Sequence, residues 1–238
     1  MQLETIGQVK EMPGATGRES ATTDSPRRRR GILIALLGPD GAGKTSLAQF
    51  LVDSNNVQAR HIYMGLNVEA STIGLPTSRW LHKQKKAASG SSLRKKLIGA
   101  LSFADRIASY HLRCAAARYF RFRGQVVILD RYIYDSWLSQ PALTAGKRFR
   151  KRIFEGGAPV PDLVVLLDAP GKLLLKRKGE HSAEWLEGQR QAYLSLKHRL
   201  PQMVVVDATQ PLEQVQREVT SLVVNRRNTR TKDTVRCQ

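Results

Sequence analysis

The stretch LLGPDGAGKTSL, residues 36–47, constrains this chain more than any other. It reads G-x-x-x-x-G-K-[ST] from Gly38 to Thr45 and follows the apolar run GILIAL directly. The glycines Gly38, Gly41 and Gly43 let a backbone wrap with its N–H groups turned inward on phosphate oxygens, and the positive end of the next helix adds to that field. In this pattern Lys44 reaches the outer phosphates and the Thr45 hydroxyl can ligate Mg2+. Asp40, Ala42 and Ser46 belong to the same cradle. A strand before the loop and a helix after it point to a nucleoside triphosphate, because a merely tight turn has no need of the Lys-Thr pair.

The rest of the chain alternates in the same way. Apolar runs at 31–38, 59–64, 125–130, 162–168 and 203–208 read as strands, and they are apolar nearly throughout, as parallel strands covered on both faces are. Helical patterns lie between them at 44–53, about 93–121, 171–178, 183–199 and 211–224. The fold class is therefore α/β, a doubly wound parallel five-stranded sheet with helices on both faces. In the long helix Leu93, Leu97, Leu101, Ala108, Leu112 and Tyr119 recur at threes and fours as an apolar stripe. His111 and Cys114 on that helix read as ordinary core or surface positions.

Composition narrows the classes further. The 238 residues are 41% hydrophobic, enough for one well-filled domain over 31–224. Residues 1–30 read as a disordered, basic-ended leader, and 225–238 as a frayed, polar, basic tail. Only Cys114 and Cys237 occur, far apart, which argues against disulfides or zinc and leads us to expect a reducing, cytoplasmic setting. No apolar run approaches the ~18 residues of a transmembrane helix. The sequence RRRRGILIALLG has the look of a secretion signal, but a buried first strand explains the same residues. The formal charge is +19; setting aside +2 on residues 1–30 and +4 on 225–238 leaves +13 on the domain. Such a surface attracts polyanions: nucleotides, nucleic acid or an anionic membrane.

A second motif, VVILDRYIYDSW at 126–137, sets a carboxylate and a guanidinium at the end of a strand, where open α/β sheets place ligands. Transfer from ATP to a monophosphate brings together about −4 and −2 of charge, and each close pair of unit charges is worth roughly 1–4 kcal/mol. Cations must line such a gap. Asp130 can position Mg2+, and Arg131 can clamp an acceptor phosphate bidentately. Taken alone, the two also read as a structural pair closing the strand.

In order along the chain, GPDGAGKTSL, DRYIYDS, PDLVVLLDAP, RKGE before QRQAYLSL, and VVVDATQPLEQV resemble the thymidylate kinase family over most of 31–224. The resemblance implies the P-loop NTPase fold of a nucleoside monophosphate kinase, with a small lid at about 176–186, and ATP and Mg2+ as cofactors. By position, Asp40 resembles the loop acid that approaches the acceptor sugar, and Asp130 and Arg131 match the family's Asp-Arg pair. One subfamily carries a catalytic arginine in the loop, where this chain has Gly41, so the resemblance assigns that role to the lid, where Arg177 and Lys178 fall, and of the two to Arg177. Ala208, Thr209 and Gln210 resemble the loop that cradles adenine. Members of the family commonly dimerise through a helical face.

The acceptor side departs from the pattern. Where many members carry Arg-Glu-Pro-Gly after the second strand, this chain has HIYMGLNVEAS, and residues 79–123 hold twelve basic side chains and one acid, Asp105. Another basic cluster, KRFRKR, occupies 147–152. Tyr63 and Tyr134 are the rings placed either to stack on an acceptor base or simply to pack, and Tyr132 stands with them. Three functions stay open on sequence. One is phosphorylation of a nucleoside monophosphate, by default dTMP to dTDP. Another is a kinase of a sugar or lipid-linked acceptor. The third is an ATP-dependent polyanion-binding module, against which the basic clusters lack interleaved aromatics and no helix-turn-helix or zinc pattern occurs.

Overall fold

A computed structural model describes residues 31–54, 57–65, 73–87, 92–138 and 145–236. The leader at 1–30 and most of the acceptor-side stretch after Gly65 lie outside the described residues. Five strands form one parallel sheet: β1 Ile32–Leu37, β2 Ala59–Tyr63, β3 Val126–Asp130, β4 Leu163–Asp168 and β5 Met203–Asp207, in the order β2-β3-β1-β4-β5. All five coincide with the apolar runs read from the sequence. Between and after them run α1 Lys44–Asp53, α2 Pro76–Ala87, α3 Ser92–Phe122, α4 Asp135–Leu138, α5 Ala145–Gly156, α6 Gly171–Lys178, α7 Ala183–Ser195 and α8 Leu212–Arg236. A 3-10 turn, Leu196–His198, extends α7.

The central strand shows why its sequence is apolar without alternation. Ile32, Ile34 and Leu36 enter a core with Leu47, Leu51, Val219 and Val223, on the face covered by α1 and α8. Leu33, Ala35 and Leu37 point the other way, into a core with Tyr110, Cys114, Ala117 and Tyr193 under α3 and α7. Successive side chains alternate faces, and both faces are dry. Cys114 is buried, as one of the two bland readings had it.

Two helices go beyond the sequence reading. The apolar stripe of α3 does not face the sheet: Leu93 is 77% and Leu97 60% exposed, and Leu101, Ala108, Leu112 and Tyr119 are exposed as well. The opposite face is buried instead, with Ser102, Ser109, Tyr110, Arg113, Cys114 and Ala117. Small and hydrogen-bonded residues suit that side because α2 packs close. Asp105 accepts from Thr77 Oγ1 at 2.7 Å and Ser78 Oγ at 2.6 Å, and the Ser78 and Ser109 hydroxyls lie 3.1 Å apart. Second, α8 does not stop near 224. It continues to Arg236, where Arg226 donates to the Asp162 carbonyl at 2.8 Å and Arg227 to the Gly124 carbonyl at 3.0 Å. Long-range bonds hold residues whose local sequence reads only as polar.

Candidate active site

The register of the sheet builds the site. Leu36 of β1 pairs with Asp130 of β3, so the loop leaving β1 and the residue after β3 emerge side by side. In the loop, Gly38, Gly41 and Gly43 have φ of 142°, 85° and 92°, a backbone that side-chain-bearing residues rarely adopt. Gly43 caps α1 with no side chain to offer, and the first turn of α1 has no acidic residue. The first N–H groups of α1 are therefore left for an anion. Thr45 and Ser46 stand exposed at that helix start.

Lys44 is 7% exposed and its Nζ donates to the carbonyls of Gly38 and Pro39, at 2.6 and 2.8 Å, from within the loop. Burial, and then the Arg131 charge, push its pKa down to about 8, while Asp40, Asp135 and Asp130 pull it back up. Arg131 has φ 59°, the one non-glycine positive φ among the described residues, a conformation that costs of order 1–3 kcal/mol. The turn swings its guanidinium across to the loop, where Nη2 meets Asp40 Oδ1 at 2.5 Å. Burial alone would raise the Asp40 pKa, but Arg131, Lys44 and Lys178 outweigh it and hold the carboxyl below its ordinary range.

Asp130 is 4% exposed, and its Oδ1 has no hydrogen-bond partner among the described residues. Oδ2 lies 3.6 Å from His61 Nε2, itself buried without a hydrogen bond. An orphaned buried carboxylate oxygen beside the Lys44 loop fits a role in holding Mg2+ or one of its waters. Asp40, Glu180 and His181 also cluster, with one potential ligand atom from each within 4.8 Å of the others. Cations already occupy that cluster: Arg131 sits on Asp40, and Lys178 lies 3.1 Å from Glu180 and 4.0 Å from Asp40. It is an ion-pair network rather than a metal cage.

The two basic residues singled out at the lid diverge. Arg177 donates to the Ala208 carbonyl at 2.9 Å and lines a cavity of about 310 Å3 with Gly41, Ser46 and Gln210. Lys178 turns instead toward Asp40. The expected lid at 176–186 is compact: α6 ends at Gly179, φ 70°, whose N–H returns to the Leu175 carbonyl, and α7 starts at Ala183. At the end of β5, Thr209 donates through N–H and hydroxyl to Asp207, at 2.8 and 2.6 Å, folding the loop that presents Ala208 and Gln210.

On the acceptor side Tyr63 is half-buried at the end of β2. Tyr134 is different. It is 5% exposed and packed edge-on against Tyr132 and Trp137, with centroids 5.0 and 4.7 Å away. Three residues that the sequence reading passed over join the site. His61 faces Asp130, and buried Arg113 donates to the carbonyls of Tyr63 and Gly65 at 3.0 and 2.8 Å, fixing the chain where HIYMGLN begins. Asp135 accepts from Tyr193 Oη at 2.9 Å. Burial pushes its pKa up to about 6 against the pull of that hydrogen bond and of Lys44 and Arg131, while Asp130 adds to the rise. Asp135 lay in the quoted DRYIYDS, but nothing local marks its pairing with Tyr193 of α7.

The thymidylate kinase family profile matches residues 37–219. The chain belongs to the thymidylate kinase family. Among its relatives, the probable thymidylate kinase of Pyrococcus abyssi is 30% identical over 202 residues, covering 82% of this chain and 96% of the relative. That of Staphylothermus marinus is 32% identical over 207 residues, with 82% and 95% covered. The thymidylate kinase of Pseudomonas putida is 30% identical over 208 residues, with 81% and 95% covered. Among the described residues no helix is long and apolar enough to cross a membrane.

The Lys44 geometry carries a pH consequence. A depressed lysine pKa recovers when a polyanion arrives, so ATP binding takes up protons near pH 8 and weakens as pH rises above it. Calorimetric titration with ATP in buffers of different ionisation enthalpy reads this directly. Proton uptake is expected at pH 8 and none at pH 6.5, where Lys44 is already charged.

Proposed function

We propose that this protein phosphorylates dTMP to dTDP, moving the γ-phosphoryl group of ATP to the acceptor phosphate. The observation that carries the reading is the Asp40–Arg131 contact, which sets the acceptor clamp against the triphosphate loop in a member of the thymidylate kinase family. The acceptor is already an anion, so no strong base or covalent intermediate is needed, and catalysis is positioning plus neutralisation. Backbone N–H groups of 41–45 hold the phosphates, and Lys44 shifts from its own carbonyls to their oxygens. Arg131 clamps the acceptor phosphate, for which it must share or leave Asp40, and Asp40 then faces the acceptor sugar. Thr45 and Asp130 would hold Mg2+, which when bound supplies charge neutralisation on the phosphate oxygens. Ala208, Thr209 and Gln210 cradle adenine, Tyr63 borders the acceptor base, and Arg177 supplies the lid charge to the transferred group.

Neither the site nor the relatives favour a sugar or lipid-linked acceptor. ADP release from Mg-ATP by purified protein, measured across a panel of nucleoside monophosphates with Lys44→Ala as blank, is expected to be fastest with dTMP. Silence on dTMP with ATP binding intact contradicts the reading.

Arg177→Ala is expected to lower kcat on the order of 10²-fold or more, by analogy with loss of an arginine finger. A rise in KM for ATP alone, with kcat unchanged, would confine Arg177 to holding the Ala208 loop.

The exposed stripe on α3 supports a homodimer, with Leu93, Leu97, Leu101, Leu112 and Tyr119 covered by a second copy. Sedimentation equilibrium should give a dimer for the wild type and a monomer for Leu97→Asp/Leu101→Asp. A monomeric wild type removes this assembly.

A further inference from the structure

Behind the Lys44 loop a buried carboxylate and a half-buried imidazole face each other without bonding. Asp130 Oδ2 and His61 Nε2 are 3.6 Å apart, with side chains 6% and 21% exposed. His61 Nε2 is buried with no hydrogen-bond partner among the described residues, and so is Asp130 Oδ1. Burying polar atoms unpaired is costly, and each case in a folded protein calls for an explanation.

The sheet sets up this encounter. His61 of β2 pairs with Ile128 of β3, and Tyr63 pairs with Asp130. His61 therefore stands one alternate position short of the carboxylate, on the same face of the sheet. Ala59, Val126 and Ile128, the earlier positions on that face, belong to the apolar core. Only at the end next to the phosphate loop does the apolar pattern give way to an imidazole and a carboxylate. The Met64 N–H donates to the Asp130 carbonyl at 2.8 Å, so the two backbones are locked in register here. Side-chain rotation is what can change the gap.

The neighbouring cations are engaged elsewhere. Lys44 Nζ donates to the Gly38 and Pro39 carbonyls, and Arg131 turns away to Asp40. That leaves His61 as the donor facing the Asp130 carboxylate. A separation of 3.6 Å is too long for a hydrogen bond, and a turn of either side chain that closes it by roughly 0.5 Å makes one. An N–H donated to a carboxylate is charge-assisted, and carboxylates that hold metals are commonly oriented by such a bond.

We propose that His61 is the positioning residue of Asp130: its Nε2–H donates to Oδ2 and so keeps Oδ1 free to hold Mg2+. The proposal rests on the reading of Asp130 as a holder of Mg2+. The test is calorimetric titration of the full-length protein with ATP, once in Mg2+ and once in EDTA. The ratio of the two affinities reports the hold on the metal, without turnover. Asp130→Asn should lower that ratio at least tenfold. His61→Leu, which removes the donor and keeps the bulk, should lower it about tenfold. His61→Gln, whose amide nitrogen reaches about as far as Nε2, should stay within threefold of wild type. Adding His61→Leu to Asp130→Asn should change the ratio less than twofold. Nitrogen NMR of the metal-free wild-type protein reads the tautomer independently, with the proton expected on Nε2. If Asp130→Asn lowers the ratio and His61→Leu does not, the positioning role is overturned and the Mg2+ reading stands. An unchanged ratio in Asp130→Asn sinks the Mg2+ reading and the proposal with it. A proton on Nδ1 alone, a Gln variant as weak as Leu, or a full His61→Leu effect without the Asp130 carboxylate each overturns the role of His61.

Discussion

The pairing of β1 with β3, Leu36 opposite Asp130, is the constraint on which the rest of the site depends. It brings the ends of two strands, separated by most of a hundred residues, to one edge of the sheet. There the loop from β1 supplies backbone donors and Lys44, and β3 supplies a carboxylate and a guanidinium. The backbone turn at Arg131 then carries the guanidinium onto Asp40 at 2.5 Å. The strain of that turn is set against a part-buried ion pair. A one-residue slip of β3 would turn Asp130 to the other face and dissolve the arrangement.

Charge explains the chemistry of this edge better than shape does. Lys44, Arg131 and Lys178 stand close enough to hold the Asp40 pKa down despite its burial, and Arg131 helps to lower that of Lys44. These three cations stand among four carboxylates, Asp40, Asp130, Asp135 and Glu180, so incoming phosphates must take the cations over from partners they already have. Asp135 is the opposite case, a carboxylate raised to about 6 by burial and by its neighbour Asp130.

Much of this could be read from the sequence, and the boundary between what could and what could not is physical. The strands were readable because burial on both faces leaves an uninterrupted apolar run, and the loop because its backbone demands glycine at fixed positions. The face of α3 was not readable. Apolar periodicity marks a stripe without saying what covers it, and the side against the sheet is built from Ser109, Cys114 and Ala117, which carry little apolar signal. The end of α8 was hidden for a related reason, since its anchors are arginine bonds to Asp162 and Gly124, far away in sequence. In the site, Lys44, Asp130 and Arg131 belong to motifs, whereas His61, Arg113 and Asp135 acquire their places only from the fold. The packing of Tyr134 and the turn of Arg177 toward Ala208 are likewise tertiary outcomes that adjacent sequence does not encode.

The central claim is that the γ-phosphoryl group of ATP moves directly to the phosphate of dTMP. The most direct measurement follows that group: wild-type protein, Mg2+, dTMP and ATP labelled at the γ-phosphorus, with products resolved by chromatography. The account predicts label in the β-phosphate of dTDP, formed in step with ADP. Label released as inorganic phosphate while dTMP stays unchanged would contradict it.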